Sequence, residues 1–230
     1  MVAIPSFDFA SVLASAVHDM KNSLCMLIQS AELIQQESSH LSDSARNELA
    51  RLNYEANRLN SNLLQLLSMY RLERNQLPVQ VEQYYLSDIT EEMLLKNQFY
   101  CQQHHLTIVV EQPDPQLQWY FDYDLILNLL NDAVVNALRY SNAQVKVILA
   151  EQEKQLCIEV HDDGPGFPEF MLNCDKLAMN QPDLANNHTG LGIFFAKLIA
   201  HAHSNKGVHG TLQLANNSQL GGGRLRLTLP

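Results

Sequence analysis

The sequence predicts an α+β chain in which an N-terminal helical hairpin precedes a sandwich with helices on one face of a mixed or antiparallel sheet. Three observations carry this reading. All nine glycines lie after residue 163. No proline occurs between Pro5 and Pro78, so 72 consecutive residues lack both helix breakers. Beyond Pro78, short apolar runs separated by Gly, Pro, Asn and Asp replace the helical period. The domain boundary falls there, giving 1–77 and 78–230.

The first helix follows from Leu13, Val17, Met20, Leu24, Leu27, Ala31 and Ile34, which recur with strict 4-3 alternation. The second follows from Leu49, Leu52, Ala56, Leu59, Leu63, Leu66 and Tyr70, which alternate as 3-4. Both are heptad seams. Between them, Ser38-Ser39-His40-Leu41-Ser42-Asp43-Ser44 supplies loop chemistry and an N-cap. A lone hairpin leaves one flank of its seam uncovered, with Leu33, Leu64 and Leu67 as further apolar positions. Pairing two hairpins into a four-helix bundle covers it, so a homodimer is expected.

In the second domain, Leu106 to Glu111 and Leu117 to Phe121 read as strands around the turn Gln112-Pro113-Asp114-Pro115. Residues 123 to 140 read as a helix with Leu125, Leu127, Leu129, Leu130, Ala133, Val134, Ala137 and Leu138 apolar. Val145 to Ala150 and Leu156 to Val160 alternate as strands. A helix follows Gly190, and the strands Thr211 to Ala215 and Arg224 to Leu229 flank Gly221-Gly222-Gly223. Helices and sheet together form a two-layer sandwich.

Composition excludes several classes. Fifteen basic against 25 acidic residues give a net charge of −10, which disfavours a nucleic-acid binder because phosphate contacts need clustered Lys and Arg. No apolar run reaches the roughly 18 to 20 residues of a membrane span; the richest, Leu191 to Ala200, is broken by Lys197. Cys25, Cys101, Cys157 and Cys174 have neither metal-ligand spacing nor the density of a secreted disulfide framework. A cytoplasmic location is expected.

The chemistry concentrates in few places. The 123–140 helix carries Asn136-Ala137-Leu138-Arg139-Tyr140-Ser141, with Asp132 one turn earlier on the same face. After the next hairpin comes His161-Asp162-Asp163-Gly164-Pro165-Gly166-Phe167. These segments resemble the N-box and first glycine box of the histidine-kinase ATP-binding domain, the Bergerat-type fold shared with gyrase-like ATPases. Thr189-Gly190-Leu191-Gly192 resembles the second glycine box, and Gly221-Gly222-Gly223 a late glycine turn. The likeness runs from about residue 80 to 230 in order.

The resemblance implies ATP and Mg²⁺ as cofactors, within an α/β sandwich ATP-binding domain. Asn136 becomes the metal residue, its neutral carbonyl being a hard oxygen ligand. Asp162 becomes the acceptor for the adenine amine, an orienting contact in an apolar pocket. Gly164 and Gly166 allow close backbone approach to the base. Thr189, Gly190, Leu191 and Gly192 place N–H groups at a helix N-terminus, which favours the triphosphate. Arg139 suits phosphate and Tyr140 the pocket wall.

On the first helix, His18-Asp19-Met20-Lys21-Asn22-Ser23-Leu24 places His18 outside the seam, with Asn22 one turn further along its face. The segment resembles the H-box of two-component sensor kinases. That resemblance implies His18 as the phosphate acceptor, a neutral imidazole being nucleophilic near pH 7. Asp19 would orient the imidazole or take its proton, and Asn22 would position water for dephosphorylating a response regulator. Ser23 stands where proline is common, which predicts a straighter helix.

Two departures fall in the lid. His188 replaces a usual glycine, and no Phe-x-Pro-Phe segment lies between Pro168 and His188, where Lys176 is the sole basic residue. Both point to a stiffer hinge and weaker closure. The resemblance as a whole implies a sensor-type histidine kinase that labels His18 from ATP and passes the group to a receiver-domain aspartate. Only 17 residues precede His18, so input is expected from a separate sensor protein or from the hairpin itself. Two alternatives stay open: a phosphotransfer or scaffold protein with a degenerate ATP domain, and a gyrase-like ATPase using Asp132 as its base.

Overall fold

The computed structural model describes residues 9–37, 79–172 and 191–230, together with isolated positions between 42 and 63. Two compact units result, Met1–Pro78 and Val79–Pro230.

In the first unit, helix α1 spans Phe9–Glu37, as the breaker-free heptad run requires. The predicted turn and second arm lie mostly outside the described residues. Of that arm, residues 45, 48, 49, 51, 52, 55, 56, 59 and 63 are helical. The Ser42 hydroxyl accepts the Ala45 N–H at 3.3 Å, an N-cap contact. Val17, Ala31 and Ala56 are buried, whereas Met20, Leu27 and Ile34 remain 57%, 58% and 49% exposed in the single chain.

The second unit begins with β1 (Glu82–Tyr85), α2 (Leu86–His104), β2 (Thr107–Glu111) and β3 (Gln118–Phe121). Then come α3 (Tyr123–Tyr140), β4 (Gln144–Gln152), β5 (Gln155–Asp162), a single turn α4 (Glu169–Leu172) and α5 (Leu191–Ala202). The chain closes with β6 (Ser204–Asn205), β7 (Val208–His209), β8 (Thr211–Ala215) and β9 (Arg224–Leu229). Five strands form a mixed sheet in the order β2-β4-β5-β9-β8. Only β2–β4 is parallel; the other pairs are antiparallel.

Alternation along the strands builds the core. Val145, Val147 and Leu149, then Leu156, Ile158 and Val160, then Leu227 and Leu229, send one face of the sheet into a cluster with helical residues. Those helical residues include Met93, Ile126, Leu130, Val134 and Ile199, so the helices cover that face alone. No helix among the described residues is long and apolar enough to cross a membrane.

Two elements differ from expectation. The strands around Gln112–Pro115 do not pair with each other. β2 joins β4, while β3 pairs with β1 in a separate ribbon. The Gln112–Pro115 segment is therefore a crossing between two sheets and not a hairpin turn. Helix α2 left a weak trace in the sequence. It buries only a narrow stripe of Leu86, Ile89, Thr90, Met93 and Asn97, and Tyr85 at its N-cap makes no side-chain capping bond.

Asp122 organises the start of α3. Its Oδ1 accepts the Leu125 N–H at 3.1 Å, and its Oδ2 accepts the Gln80 N–H at 2.9 Å. Its own N–H donates to Nε2 of buried His203 at 3.0 Å, while His203 Nδ1 donates to the Ile199 carbonyl at 2.7 Å. This tautomer ties α5 to α3 through a neutral ring. Burial holds the imidazole below its usual pKa. As pH falls below about 6.5, the unfolded chain takes a proton that the folded ring resists, so stability declines. Urea melts should show the second unit losing stability from pH 7.5 to 5.5, and His203→Gln should flatten part of that slope. His203→Ala should cost about 1 to 3 kcal/mol by orphaning the buried Asp122 N–H.

Candidate functional site

Helix α3 is amphipathic: Leu129, Leu130, Val134, Ala137 and Leu138 are buried, while Asn128, Asn136, Arg139 and Tyr140 are exposed and Asp132 is half-buried. The i, i+4 spacing therefore aligns Asn128, Asp132 and Asn136 away from the core. The helix stops at Ser141, whose hydroxyl and N–H both donate to the Ala137 carbonyl.

Asp163 then pins the loop after α3. Its carboxylate accepts the N–H groups of Asn142 at 2.8 Å, Ala143 at 2.9 Å and Gln144 at 3.2 Å. The Asn142 carboxamide returns a bond to the Asp163 carbonyl at 2.6 Å. This clamp brings residues 136–140 beside residues 162–167. The fit is close, because a Cβ on Gly164 would strike the Tyr140 carbonyl.

Asp162, 7% exposed, ends β5. Its Oδ1 accepts the Gly164 N–H at 2.9 Å and the Gly223 N–H at 3.0 Å. No described hydrogen bond engages Oδ2, which leaves one fixed acceptor for a ligand. The Asp162 carbonyl takes the Ser218 hydroxyl at 2.8 Å and the Gly222 N–H at 3.1 Å. The sequence reading marked Gly221–Gly223 as a turn but missed this role. The signal was there: consecutive glycines permit contact with the carboxylate, since a Cβ on Gly222 would strike Asp162 Oδ1. Asn216 was also missed. Its carboxamide pairs with both main-chain groups of Phe167, at 2.7 and 2.9 Å, beside Gly166 at φ +81°.

The other predicted positions divide. Leu191 and Gly192 open α5. Thr189, Gly190, His188 and Lys176 lie outside the described residues. His18 belongs to α1, although its side chain is likewise outside them. Asp19 and Asn22 are exposed on the same helix. The helix runs unbroken through Ser23, where proline would have lacked the main-chain N–H, and the Ser23 hydroxyl also donates to the Asp19 carbonyl at 3.0 Å.

Chemically, the second unit offers a carboxylate acceptor, glycine-walled backbone and a polar helix face. Among the described residues no group of three His, Cys, Asp or Glu could cage a metal. Mg²⁺ needs no such cage, since it keeps waters and shares substrate phosphates, and the exposed Asn136 oxygen fits that mode.

Residues 121–230 match the family model for the histidine kinase-, DNA gyrase B-, and HSP90-like ATPase. The chain is 28% identical to the Sensor histidine kinase CpxA of Escherichia coli K12, covering 95% of this chain and 46% of that protein. It is also 28% identical to the Sensor protein KdpD of the same strain, over 96% of this chain and 24% of that one. The chain thus spans less than half the length of these relatives. Its fold matches the Acinetobacter baumannii histidine kinase AdeS with a TM-score of 0.60 at 18% identity, covering 90% of this chain and 95% of that one. Full-length ShkA in complex with AMPPNP matches with a TM-score of 0.63 at 17% identity, over 96% and 45% of the two chains.

The close contacts predict two intolerant glycines. Gly164→Ala and Gly222→Ala should each destabilise the second unit by about 1 to 3 kcal/mol, because backbone or a fixed carboxylate must shift. Denaturant midpoints of both variants against the parent measure this.

Proposed function

We propose that this chain, a relative of the two-component sensor histidine kinases whose residues 121–230 match their ATPase family, is a kinase core that transfers phosphate from ATP to His18. The observation that carries this reading is Asp162: a mostly buried carboxylate with one oxygen fixed by main-chain N–H groups and the other left to a ligand. An adenine amine matches that acceptor, and the neighbouring glycines suit a flat base.

In this reading residues 78–230 hold the nucleotide and residues 1–77 supply the acceptor and the dimer contact. Asn136 would hold Mg²⁺, with Arg139 toward phosphate and Tyr140 against the nucleotide. Thr189, Gly190, Leu191 and Gly192 would cradle the phosphates with N–H groups at the start of α5. Asp132 lies one turn from Asn136 on the same helix face and would be the base in the alternative reading, in which ATP is hydrolysed. When bound, Mg²⁺ offsets the charge that develops on the phosphates during transfer.

His18 supplies the nucleophile. Its imidazole nitrogen bonds the terminal phosphorus as the bond to the ADP oxygen breaks, and Asp19 takes the imidazole proton. An aspartate on a response-regulator receiver domain then receives the phosphoryl group. Asn22, on the face of His18, orients water for hydrolysis of the phosphorylated regulator, which releases phosphate. The free thiols Cys25, Cys101 and Cys157 suit a cytoplasmic setting. The exposed seam residues Met20, Leu27, Ile34, Leu52 and Leu59 support pairing of two hairpins into a four-helix bundle.

Incubation with γ-labelled ATP should give an acid-labile, alkali-stable protein label. His18→Gln should lose it while still binding ATP; a label retained there would remove His18 from the reaction. Phosphate release without any label would favour a simple ATPase. Asp162→Asn should weaken ATP binding on the order of ten- to hundredfold, and Asn136→Ala should lose mainly the Mg²⁺-dependent part. Light scattering should find a dimer at micromolar concentration, split by introducing Asp at both Leu24 and Leu63.

A further inference from the structure

His161 lies next to Asp162 on β5, and strand alternation turns it to the opposite face of the sheet. There it is 1% exposed, an unusual state for a titratable side chain on the face away from the helices. Its surroundings explain the burial. The Gln219 N–H donates to His161 Nδ1 at 3.1 Å, and His161 Nε2 meets Glu159 Oε2 at 3.0 Å. Since Nδ1 accepts, the ring proton sits on Nε2 and points at Glu159. The guanidinium groups of Arg226 and Arg224 hold the other Glu159 oxygen at 3.5 and 3.7 Å. Lys146 and Arg224 are the cross-strand neighbours of His161.

Gln219 belongs to the turn that closes on Asp162. Its side-chain oxygen accepts from Lys146 Nζ at 2.8 Å, and Lys146 also pairs with Glu111 at 2.7 Å. One residue earlier, the Ser218 hydroxyl donates to the Asp162 carbonyl; a few residues later, the N–H groups of Gly222 and Gly223 reach the Asp162 carbonyl and Oδ1. The turn is thus held to β5 at two neighbouring residues, on the two faces of the strand. The Asp162 side depends on main chain and a serine. The His161 side depends on one imidazole nitrogen remaining an acceptor.

We infer that His161 is a positioning residue for base recognition: it fastens the 216–223 turn to β5 and so fixes the direction of the Asp162 carboxylate. Glu159 keeps the required tautomer, and the two arginines keep Glu159 in place. This rests on the nucleotide reading of the site. The effect belongs to the base end, so it falls on discrimination between bases rather than on phosphate contacts.

The test compares ATP with inosine triphosphate, which carries a carbonyl in place of the exocyclic amine. The parent should prefer ATP. His161→Phe keeps a flat aromatic ring, somewhat larger, and loses both nitrogens, so the preference should shrink about tenfold, mostly through weaker ATP binding. His161→Asn, whose carboxamide oxygen can stand in for Nδ1, should restore it. An equal loss for both nucleotides in His161→Phe, with no rescue by Asn, would overturn the proposal in favour of a purely structural role. A preference abolished by Asp162→Asn but intact in His161→Phe would overturn it alone. No preference in the parent would overturn the nucleotide reading as well. Should His161→Phe fail to fold, ¹⁵N spectra of the unmodified chain decide: Nε2–H with Nδ1 as a bonded acceptor supports the proposal, and Nδ1–H or a doubly protonated ring overturns it.

Discussion

Two main-chain N–H groups converge on one oxygen of Asp162, and the second unit is arranged so that they can. One comes from Gly164, two residues beyond the end of β5, and the other from Gly223, immediately before β9. A carboxylate so held has its rotamer fixed before any ligand arrives. The antiparallel pairing of β5 with β9 supplies the necessary register, with His161 opposite Arg224. The glycines supply the clearance. Replacing this contact by a longer loop would leave the same residues in the chain and no oriented acceptor.

A related device stands at the other end of α3. Asp122 follows β3 as Asp162 follows the body of β5, and each accepts main-chain N–H groups that would otherwise go unpaired. At Asp122 both carboxylate oxygens are taken, and the node is structural. At Asp162 one oxygen is left over, and the node can act on a ligand. Each carboxylate receives two amides, so the difference lies in their delivery: one to each oxygen at Asp122, both to one oxygen at Asp162.

The sheet, α3 and α5 were legible because their apolar periods are undisturbed: residues 123 to 140 fall on the helix as read, and Thr211–Ala215 and Arg224–Leu229 on strands. The motif segments around Asn136 and Asp162 were legible as types in a fixed order. Strand partnership was not, because β2 and β3 are adjacent in sequence and their apolar faces do not say which neighbour supplies the ladder. Helix α2 was missed for a physical reason, since its buried stripe includes Thr90 and Asn97 where a pattern search wants hydrocarbon. The Asn97 carboxamide satisfies itself on the Met93 carbonyl and Asn131, a solution only three dimensions reveal. His161 was hidden likewise, because its partner Gln219 lies 58 residues away.

The separation between Asp162 and Gly223 is 61 residues, and it has a consequence for biosynthesis. The β4–β5 hairpin is local and can form as soon as its two strands have been made. The central strand β5 must then wait for β9 to arrive from the far end of the unit, with one edge of its ladder unpaired. During that interval a nascent chain presents a sticky edge and an aspartate with no amides around it. The oriented acceptor therefore arrives late in translation, when Gly223 and the whole of β9 have cleared the ribosome and the edge is covered.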